Sequence, residues 1–427
     1  MIWPQVQGGE RSGLSIRALW LHQPPNGALR CRVWITGYPQ QLNQVQIDSE
    51  LNILFAENYT LSGNTAEMLG FPATATLPRH LLLNLQTPAA QQLQKRQARV
   101  WQGSLLTAFQ GICGSGDLGS TSSEEELTQL VQFGQTNAAL LDWLCNKTGR
   151  FAMESLIAGR ANELRIKRIV PMDGEQSRDL TNQPSCEFLL MRGNPGLSAE
   201  PPWAYDHAQG QWGATTPSGT AGQAVGEADV NGWAGIAQGF RPALMAGTLI
   251  TKSDRNHPTP PRYIREVLAV WDQCSNGFST SWTLFSTVRG GLRHTLESPL
   301  IHDIPHSNKL LAWAEEGASE NGSAMLPELR IGHVVSYHRQ EASLPFHDAV
   351  KVRVADPRFD AIEFYARLGH SLLGTGAGAF TRPAPGAEVV LLFLGEAPYV
   401  PVAIARLGNN GMLPPVLADT EAIVVHA

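Results

Sequence analysis

Charge and cysteine are both scarce in this chain of 427 residues. Only 16% of its residues are charged and their formal sum is −6, so it lacks the basic field that binding to nucleic-acid backbones requires. Its five cysteines stand singly, in an odd number and without a Cys-x-x-Cys pair, which argues against a disulfide framework and against a zinc site. We therefore expect reduced, buried thiols and no DNA or RNA partner.

Long apolar runs and targeting signals are missing as well. No stretch approaches 18 consecutive apolar residues, so no membrane anchor is predicted. The chain begins Met-Ile-Trp-Pro, without the basic start and apolar stretch of a signal peptide. These features predict assembly in the cytoplasm, with any export left to a dedicated machine.

The usual catalytic motifs are absent. The sequence has no Gly-x-Ser-x-Gly elbow, His-Glu-x-x-His pair, Walker A loop or EF-hand loop. Residues 114–119 match Gly-x-Gly-x-x-Gly, but a Thr-Ser-Ser-Glu-Glu-Glu run follows instead of a strand-helix-strand unit, so we interpret them as a flexible turn. His302 and His306 have helical metal-ligand spacing, yet Pro305 lies between them and disfavours a helix. No cofactor and no metal site are predicted.

Acidic and aromatic residues indicate no catalytic site either. The three glutamates at 124–126 follow two serines, as in a solvated turn or helix start. Glu388 comes directly after a Pro/Gly turn, as the exposed start of a strand does. The 11 tryptophans are spread along the chain, which favours packing over a single sugar-binding groove. The chain is predicted not to be an enzyme.

Glycine and proline are plentiful instead. The chain has 41 glycines and 28 prolines, and 43% of its residues are hydrophobic, a composition typical of many short strands joined by turns. Its length allows roughly two to four domains, each with its own core. The sequence therefore predicts a mainly β protein.

Strands are predicted throughout the first part of the chain. Apolar residues alternate with small or polar ones in residues 67–77 and 99–109, the pattern of half-buried strands. The polar stretch 88–96 between them is predicted to be a loop. Further strands are predicted at residues 14–22, 28–36, 44–55, 127–135, 151–157 and 163–170.

One helix is clearly marked, at residues 137–148. Thr136 is its predicted N-cap and Gly149 its left-handed stop, and its leucines share one face. Because predicted strands flank it, this helix belongs to a strand-helix-strand insertion.

The next part of the chain has a looser composition. Residues 192–239 are rich in Gly, Pro, Ala and Ser and predict long loops or irregular strands. Strands follow around residues 240–249, 263–272 and 279–288. The Glu/Gly/Ser-rich residues 315–323 are typical of a linker, so a domain boundary is predicted near residue 326.

Beyond that boundary the sequence predicts a small barrel. Five short strands in succession fit a Greek-key barrel of the OB type. The histidines on these strands, His333, His338 and His347, are predicted to be half-buried strand residues. The strands are predicted at residues 329–338, 349–355, 362–368, 388–394 and 400–406.

Three blocks of the sequence resemble VgrG-like hub proteins of contractile injection systems. Residues 67–77 and 99–109 are similar to strands of that family's first barrel, and residues 131–151 to its strand-helix-strand signature. Residues 378–395, with Pro398 and Pro401, are similar to its OB-barrel signature. The blocks occur in the family's order and span most of the chain.

The resemblance implies a homotrimeric hub and spike base in a type VI secretion system or a phage-tail-like particle. Two similar hub barrels in each subunit would give six around the trimer axis, and these would adapt a hexameric, Hcp-like inner tube to a threefold spike. It also implies a separate spike or PAAR-like tip protein and other baseplate proteins as partners. No active site is needed for such a role.

The resemblance also implies a domain organisation. Residues 1–120 would form the first hub β-barrel, and residues 121–326 the second, with the strand-helix-strand insertion and long loops. Residues 327–412 would form the OB-type barrel, and residues 413–427 the start of a spike or a strand that docks a tip. The implied structural and interface residues are Trp101, Gly103, Trp143, Gly149, Phe151, Gly378, Phe380, Arg382, Pro383, Gly386, Gly395, Pro398 and Pro401.

The chain departs from the family pattern in three places. Residues 395–398 replace an Asp-Gly-Asp-like turn, and residues 192–239 have no clear counterpart. The chain ends at Ala427, soon after the barrel, without room for a long β-helix needle. The needle is therefore expected to belong to another protein or to a part cut from this chain.

Two hypotheses from other classes stay open. A carbohydrate- or cell-wall-active enzyme with a β-barrel binding module would need paired carboxylates that face a Trp-lined groove. An OB-type binder of single-stranded nucleic acid would need a positively charged groove, which the acidic balance disfavours.

Overall fold

A computed structural model provides the fold. It describes residues 4–7, 13–24, 26–56, 59–71, 79–114, 126–148, 150–155, 163–168, 171, 174–180, 186–192, 203–206, 211–214, 231–238, 241, 244–252, 259–273, 277–284, 328–341, 347–369, 372–374, 377–379, 382–394 and 397–407. Within these ranges the chain is mainly β, as predicted. No helix in them has the length and apolarity that crossing a membrane would need.

The elements fall into three successive parts of the chain. The first contains β1 (Gln5–Gln7), β2 (Ser15–Gln23), β3 (Arg30–Gly37), α1 (Pro39–Leu42), β4 (Glu50–Ala56), β5 (Tyr59–Phe71), β6 (Arg79–Gln86), α2 (Pro88–Gln94), β7 (Arg96–Ser104) and α3 (Leu105–Cys113). The second contains β8 (Glu126–Thr136), α4 (Asn137–Thr148), β9 (Arg150–Ser155), β10 (Glu163–Arg168), β11 (Arg178–Asp179), β12 (Cys186–Arg192), β13 (Trp203–Asp206), β14 (Gln211–Ala214), β15 (Asn231–Gln238), β16 (Leu249–Lys252), β17 (Thr259–Asp272) and β18 (Gly277–Leu284). The third contains β19 (Glu328–Gln340), β20 (His347–Asp356), β21 (Phe359–Leu368), β22 (Leu372–Gly374), β23 (Ala377–Ala379), β24 (Glu388–Leu394) and β25 (Ala397–Leu407).

One large sheet unites two distant parts of the chain. Its strands run in the order β1-β4-β5-β6-β3-β2-β17-β18-β15-β12, with β16 also paired to β17 and β11 paired to β16. The antiparallel pairing of β2 with β17, in which Trp20 lies opposite Val270, joins the early strands to the later ones. We call this pairing the seam. Along β3, Cys31, Val33 and Ile35 alternate with less buried residues, so one face of the sheet covers the largest apolar core.

A second core lies under the longer helices. Strands β7 and β8 pair antiparallel, with α3 between them in the chain, and we call this pair the β7–β8 hairpin. The helices α2, α3 and α4 pack with this hairpin and with the β9–β10 pair around buried residues that include Leu93, Phe109 and Leu144. Cys113 and Cys145 lie in this core, and burial raises the pKa of the Cys113 thiol to about 12. Together with Cys31 they are free, buried thiols, as expected from the sequence.

Residues 328–407 include a closed five-stranded barrel. Its strand order is β19-β20-β21-β25-β24, and the pairing is antiparallel except for a short parallel contact between β21 and β25. Val350, Val352 and Val354 on β20 point into the barrel core, where they meet Phe364 of β21. The predicted C-terminal barrel is confirmed, whereas the division of the preceding residues into two hub barrels stays a prediction.

Two predicted elements between residues 88 and 109 are wrong. Residues 88–96 contain α2 instead of a loop, because the Thr87 hydroxyl accepts a hydrogen bond from Ala90 N–H at 3.1 Å and Pro88 fits the first helical position. The predicted strand 99–109 ends at Ser104. The hydroxyl of Ser104 caps α3 by accepting a hydrogen bond from Thr107 N–H at 3.2 Å.

Two further predicted strands begin too early. Turns occupy residues 43–49, with Asp48 at a φ of 64°, so β4 starts only at Glu50. Of the predicted strand 240–249, residues 244–247 form a turn that ends at Gly247, whose φ is 83°. This left-handed glycine turns the chain before β16 begins at Leu249.

The other predicted helix and strands agree with the structure to within a few residues where it describes them, except the predicted strand 67–77. There β5 begins already at Tyr59, and residues 72–77 lie outside the described residues. The elements that agree include α4, which spans the predicted residues 137–148, and all five barrel strands. Residues 115–119, the linker-like residues 315–323, and His302 and His306 lie outside the described residues.

Candidate assembly site at the joint between sheet and barrel

The β7–β8 hairpin lies between two cores. Because side chains alternate along a strand, the two faces of β8 bury different neighbours. Leu130 packs with the helices in the second core, whereas Val131 and Phe133 pack into the core of the C-terminal barrel. Ala98 and Val100 of β7 pack against that barrel core as well. We call this contact the barrel joint.

Gln129 of β8 fastens the hairpin to the barrel backbone. Its side-chain Nε2 donates to the carbonyl oxygen of Tyr365 at 2.8 Å, and its Oε1 accepts from the Tyr365 N–H at 2.9 Å. A primary amide offers one donor and one acceptor side by side, as a neighbouring strand does, so Gln129 pairs with β21 as a single strand residue would. Only 2% of Gln129 is exposed, and unpaired partners at this position would be costly.

Aromatic rings fill the centre of the barrel joint. The ring of Phe133 is stacked on Phe393 at a centroid distance of 6.5 Å and meets Phe359 edge-on at 6.2 Å. The guanidinium of Arg330 lies 5.3 Å from the centre of the Phe133 ring. Gly134 follows with a φ of 83°, a left-handed conformation that turns the strand beside Phe359.

A buried asparagine ties the helices to the same hairpin. Asn137, at the start of α4, is fully buried; its Oδ1 accepts from Gln132 Nε2 at 2.9 Å and its Nδ2 donates to the Gln92 carbonyl at 3.0 Å. Its own N–H donates to the Lys95 carbonyl at 2.9 Å. These bonds hold the end of α2, the start of α4 and strand β8 in one arrangement.

The seam carries a second buried polar group. Gln23 at the end of β2 donates its Nε2 to the backbone carbonyl of Glu154, and its Oε1 accepts from Ala246 N–H at 2.8 Å. Oε2 of Glu154 accepts from Leu29 N–H at 2.7 Å and from the Thr87 hydroxyl at 2.8 Å. We call this group the seam network. It connects β2, β9 and the start of α2 with the turn before β16.

Burial makes Glu154 a weak acid. The carboxyl group is fully buried and its Oε1 has no hydrogen-bond partner among the described residues. Desolvation raises its pKa from 4.5 to about 7. The two hydrogen bonds from Thr87 and Leu29 act in the opposite direction but do not offset the burial. The seam network therefore contains a carboxyl group that titrates near neutral pH.

Apolar side chains cover one outer face of the barrel. Leu329 and Ile331 on β19 are 59% and 54% exposed, and Ile404 on β25 is 47% exposed. Strand register places Leu329 beside Leu392 of β24, and Ile331 beside Val390. We call these five residues the outer barrel patch. An exposed, contiguous apolar surface of this kind typically marks a site of protein–protein contact.

The structure separates the candidate residues expected from the sequence. Trp101 on β7 packs against the helical core, with Arg99 5.6 Å from its ring centre. Gly103 is exposed with a φ of 92°, where the hairpin strand ends. Phe151 is buried beside Tyr263, at a ring distance of 5.5 Å, in the core of the large sheet. Trp101 and Phe151 belong to different cores and Gly103 is exposed, so these three residues do not form one site.

The C-terminal candidates lie closer together. Arg382 stacks over Tyr337 at 4.7 Å, and Pro383 beside it is buried. Gly386, with a φ of 84°, donates its N–H to the Val334 carbonyl at 2.8 Å and so anchors this turn on β19.

The remaining candidates add backbone positions only. Pro401 is buried in β25, and Pro398 lies in the same strand. Gly378 lies in β23, and Trp143 in α4. Gly149, Phe380 and Gly395 lie outside the described residues.

Sequence reasoning missed the residues that form the two joints. Gln129, Phe133 and Asn137 lie inside a predicted strand-helix unit. Only the adjacent apolar residues Leu130 and Val131 indicated in the sequence that both faces of β8 are buried. Gln23 and Glu154 are polar residues on strands, and their full burial had no signal in the sequence.

Solved structures with the same fold are tail and secretion components. The chain is similar to the E. coli c3393 protein, described as a component of the type VI secretion system with structural similarity to the T4 bacteriophage tail proteins gp27 and gp5. The TM-score is 0.59 at 11% identity, over 95% of this chain and 100% of that one. No family model matches the sequence, and no curated protein matches it at a significant level.

The chain is also similar to structures of a Francisella PdpA-VgrG complex. With the half-lidded form the TM-score is 0.53 at 8% identity, over 98% of this chain and 79% of that one. With the lidless form it is 0.52 at 8% identity, over 98% and 88%. The chain therefore has a VgrG-like tail-hub fold, which confirms the fold expected from the three sequence blocks.

Proposed function

We propose that this protein is the trimeric hub and spike base of a contractile injection machine, in which it adapts a hexameric tube to a threefold spike. The observation that carries the proposal is that the similarity extends over the large sheet, the helices and the barrel, and covers the whole of the c3393 chain. The similar structures are tail proteins, which supports a structural role in place of an enzymatic one.

The two joints support this role mechanically. A spike base must pass force from the tube to the tip without bending, and that requires its domains to be held in fixed orientation. The seam makes one continuous sheet of two distant chain segments, and the barrel joint packs the barrel onto the hairpin through Phe133 and Gln129. We infer that these joints hold the hub and the barrel together as one body.

The outer barrel patch supports self-association. Leu329, Ile331 and Ile404 expose apolar surface, and burying such surface against a partner favours association. In the proposed trimer, this patch faces a neighbouring subunit near the threefold axis. The hexameric Hcp-like tube, a separate spike or PAAR-like tip and other baseplate proteins are the further proposed partners, with assembly in the cytoplasm and export in the particle.

A native mass measurement tests the trimer and the patch together. We expect a mass of three chains, each of 46.4 kDa, and expect Ile331→Asp to shift the population towards monomer because it places a charge in the patch. Ala361→Asp adds the same charge at an exposed position of β21 in the same barrel and should leave the mass unchanged. A monomeric wild-type protein at micromolar concentration would overturn the proposed trimer, and a trimeric Ile331→Asp variant would overturn the role of the patch.

A further inference from the structure

A serine, a histidine and a glutamate contact one another in a row on the outer face of the barrel. Ser336 Oγ lies 2.8 Å from Nε2 of His338, and Nδ1 of His338 lies 3.2 Å from Oε2 of Glu341. All three residues are half-buried, so they are accessible but partly shielded from water. This is the order of contacts in which a serine nucleophile, a base and a carboxylate that orients the base act together.

The strand itself aligns these groups. Ser336 and His338 are two residues apart on β19, so both side chains project from the same face of the barrel, while Tyr337 between them packs against the barrel core. The ring of Tyr365 meets the His338 ring edge-on at 5.2 Å and limits its rotation. In the tautomer with its proton on Nδ1, His338 donates to Glu341 and offers Nε2 as an acceptor to the Ser336 hydroxyl.

A cation lies next to the serine. Strand register places Lys351 of β20 opposite Ser336, and cross-strand neighbours have Cβ atoms about 5 Å apart. The Lys351 ammonium is held by Glu363 at 3.0 Å. Because opposite residues of paired strands project from the same face, Lys351 and Ser336 lie on the same face of the barrel.

We propose that Ser336, His338 and Glu341 form an acyl-transfer site for small, accessible carboxylic esters, an activity beyond the structural role of the protein. Ser336 Oγ bonds to the acyl carbon while its proton passes to His338 Nε2. The ester C–O bond then breaks, and the leaving alcohol takes that proton. Water attacks the acyl-serine with the same base, which releases the carboxylic acid and restores Ser336. Glu341 is a positioning residue, because it acts on the substrate only through His338.

The chain contains two natural comparisons for this site, one on the same strand and one outside the barrel. His333, also on β19, lies 3.6 Å from Glu388 but no contact between a serine hydroxyl and its ring is present among the described residues. Ser177 is an exposed serine whose hydroxyl lies 3.5 Å from that of Thr251. If the contact with His338 activates Ser336, then Ser336 should react faster than Ser177. His333 should have no part in the reaction.

The test uses the full chain, a fluorophosphonate label and p-nitrophenyl acetate. Mass spectrometry of digested protein measures the labelling rate at each serine, and release of p-nitrophenol measures turnover. We expect Ser336 to be labelled about 100-fold faster than Ser177, the lower end of the range for general-base assistance. Ser336→Ala should abolish ester hydrolysis above the level of free histidine. Labelling of Ser336 no faster than of Ser177 would overturn the proposal.

Further variants separate the roles of the three residues. His338→Gln should slow labelling of Ser336 about 100-fold, whereas His333→Gln should leave it unchanged. Glu341→Ala should slow it less, and Glu341→Asp, which keeps the charge, should retain more activity than Glu341→Ala. Circular dichroism of each variant shows whether the protein stays folded, and the Ser177 labelling rate corrects for differences in label concentration. Unchanged labelling in His338→Gln would show that the hydrogen bond does not activate the serine, and would contradict the proposal.

Discussion

The chain joins its parts at two places, and the two joints use different chemistry. At the seam, backbone pairing between β2 and β17 is accompanied by a buried polar group formed by Gln23 and Glu154. At the barrel joint, aromatic packing around Phe133 is accompanied by a single amide, that of Gln129. One joint depends on a network of buried polar groups, and the other on filled apolar volume.

Because of this difference, we expect different changes to destabilise each joint. A buried polar network loses stability when a partner is removed or a proton is gained or lost, because an unpaired buried group is costly. An apolar joint loses stability in proportion to the volume removed and is indifferent to pH. The two joints can therefore be separated by experiment.

The largest effect is expected from Phe133→Ala. Removing a buried phenylalanine side chain costs about 3–5 kcal/mol, and here the lost contacts include both Phe359 and Phe393. Chemical denaturation should show this loss to the same extent at pH 5 and pH 8. Phe133→Leu, which keeps much of the volume, serves as the control and should lose less than half as much. A marked pH dependence of the loss would break the distinction between the two joints.

The next effect concerns the pH dependence of stability, which we assign to Glu154. The pKa of Glu154 is about 7 in the folded chain, compared with the ordinary value of 4.5 in the unfolded chain. The unfolded chain therefore loses this proton at a lower pH than the folded chain does. As a result, the free energy of unfolding falls as the pH rises from 4.5 to 7. The loss amounts to about 3 kcal/mol, at 1.36 kcal/mol for each pH unit.

Glu154→Gln should remove this fall, since an amide stays neutral. Unfolding free energies at pH 5 and pH 8 measure it, and Glu67→Gln, at an exposed site on β5, is the matched control. If wild type and Glu154→Gln lose equal stability between these pH values, the seam network is not the titrating element.

A smaller effect is expected from Gln129→Ala. This change leaves the N–H and carbonyl of Tyr365 without their side-chain partners, at a cost of about 1–3 kcal/mol. Hydrogen exchange should report it locally, as faster exchange of the Tyr365 amide with little change in the large sheet. Unaltered exchange at Tyr365 would show that the barrel joint depends on Phe133 alone and would sharpen the contrast with the seam.

The barrel was predictable because its strands carry a regular signal. Val350, Val352 and Val354 alternate with polar residues, and turn residues bound each strand, so local pattern and final structure agree. Helix α2 was missed although Thr87 and Pro88 form a normal helix start, because the residues that follow are mostly polar. Helix α3 was missed because its apolar residues continue the alternation of β7.

The joints were not predictable because they bring together residues that are far apart in sequence. Gln129 and Tyr365 are separated by 236 positions, and His22 reaches Glu266, at 2.8 Å, across 244. No local pattern records such pairs. The burial of Glu154 likewise depends on three elements that meet only in the folded protein. Local sequence patterns therefore do not predict the long-range polar pairs of this protein.

Threefold assembly is the central claim of this account, and electron microscopy of the purified full chain tests it most directly. Class averages viewed down the particle axis should show threefold symmetry, with the barrels on one side of the ring. Particles of single-chain size, or assemblies without a threefold axis, would contradict the assignment of this protein as a hub and spike base.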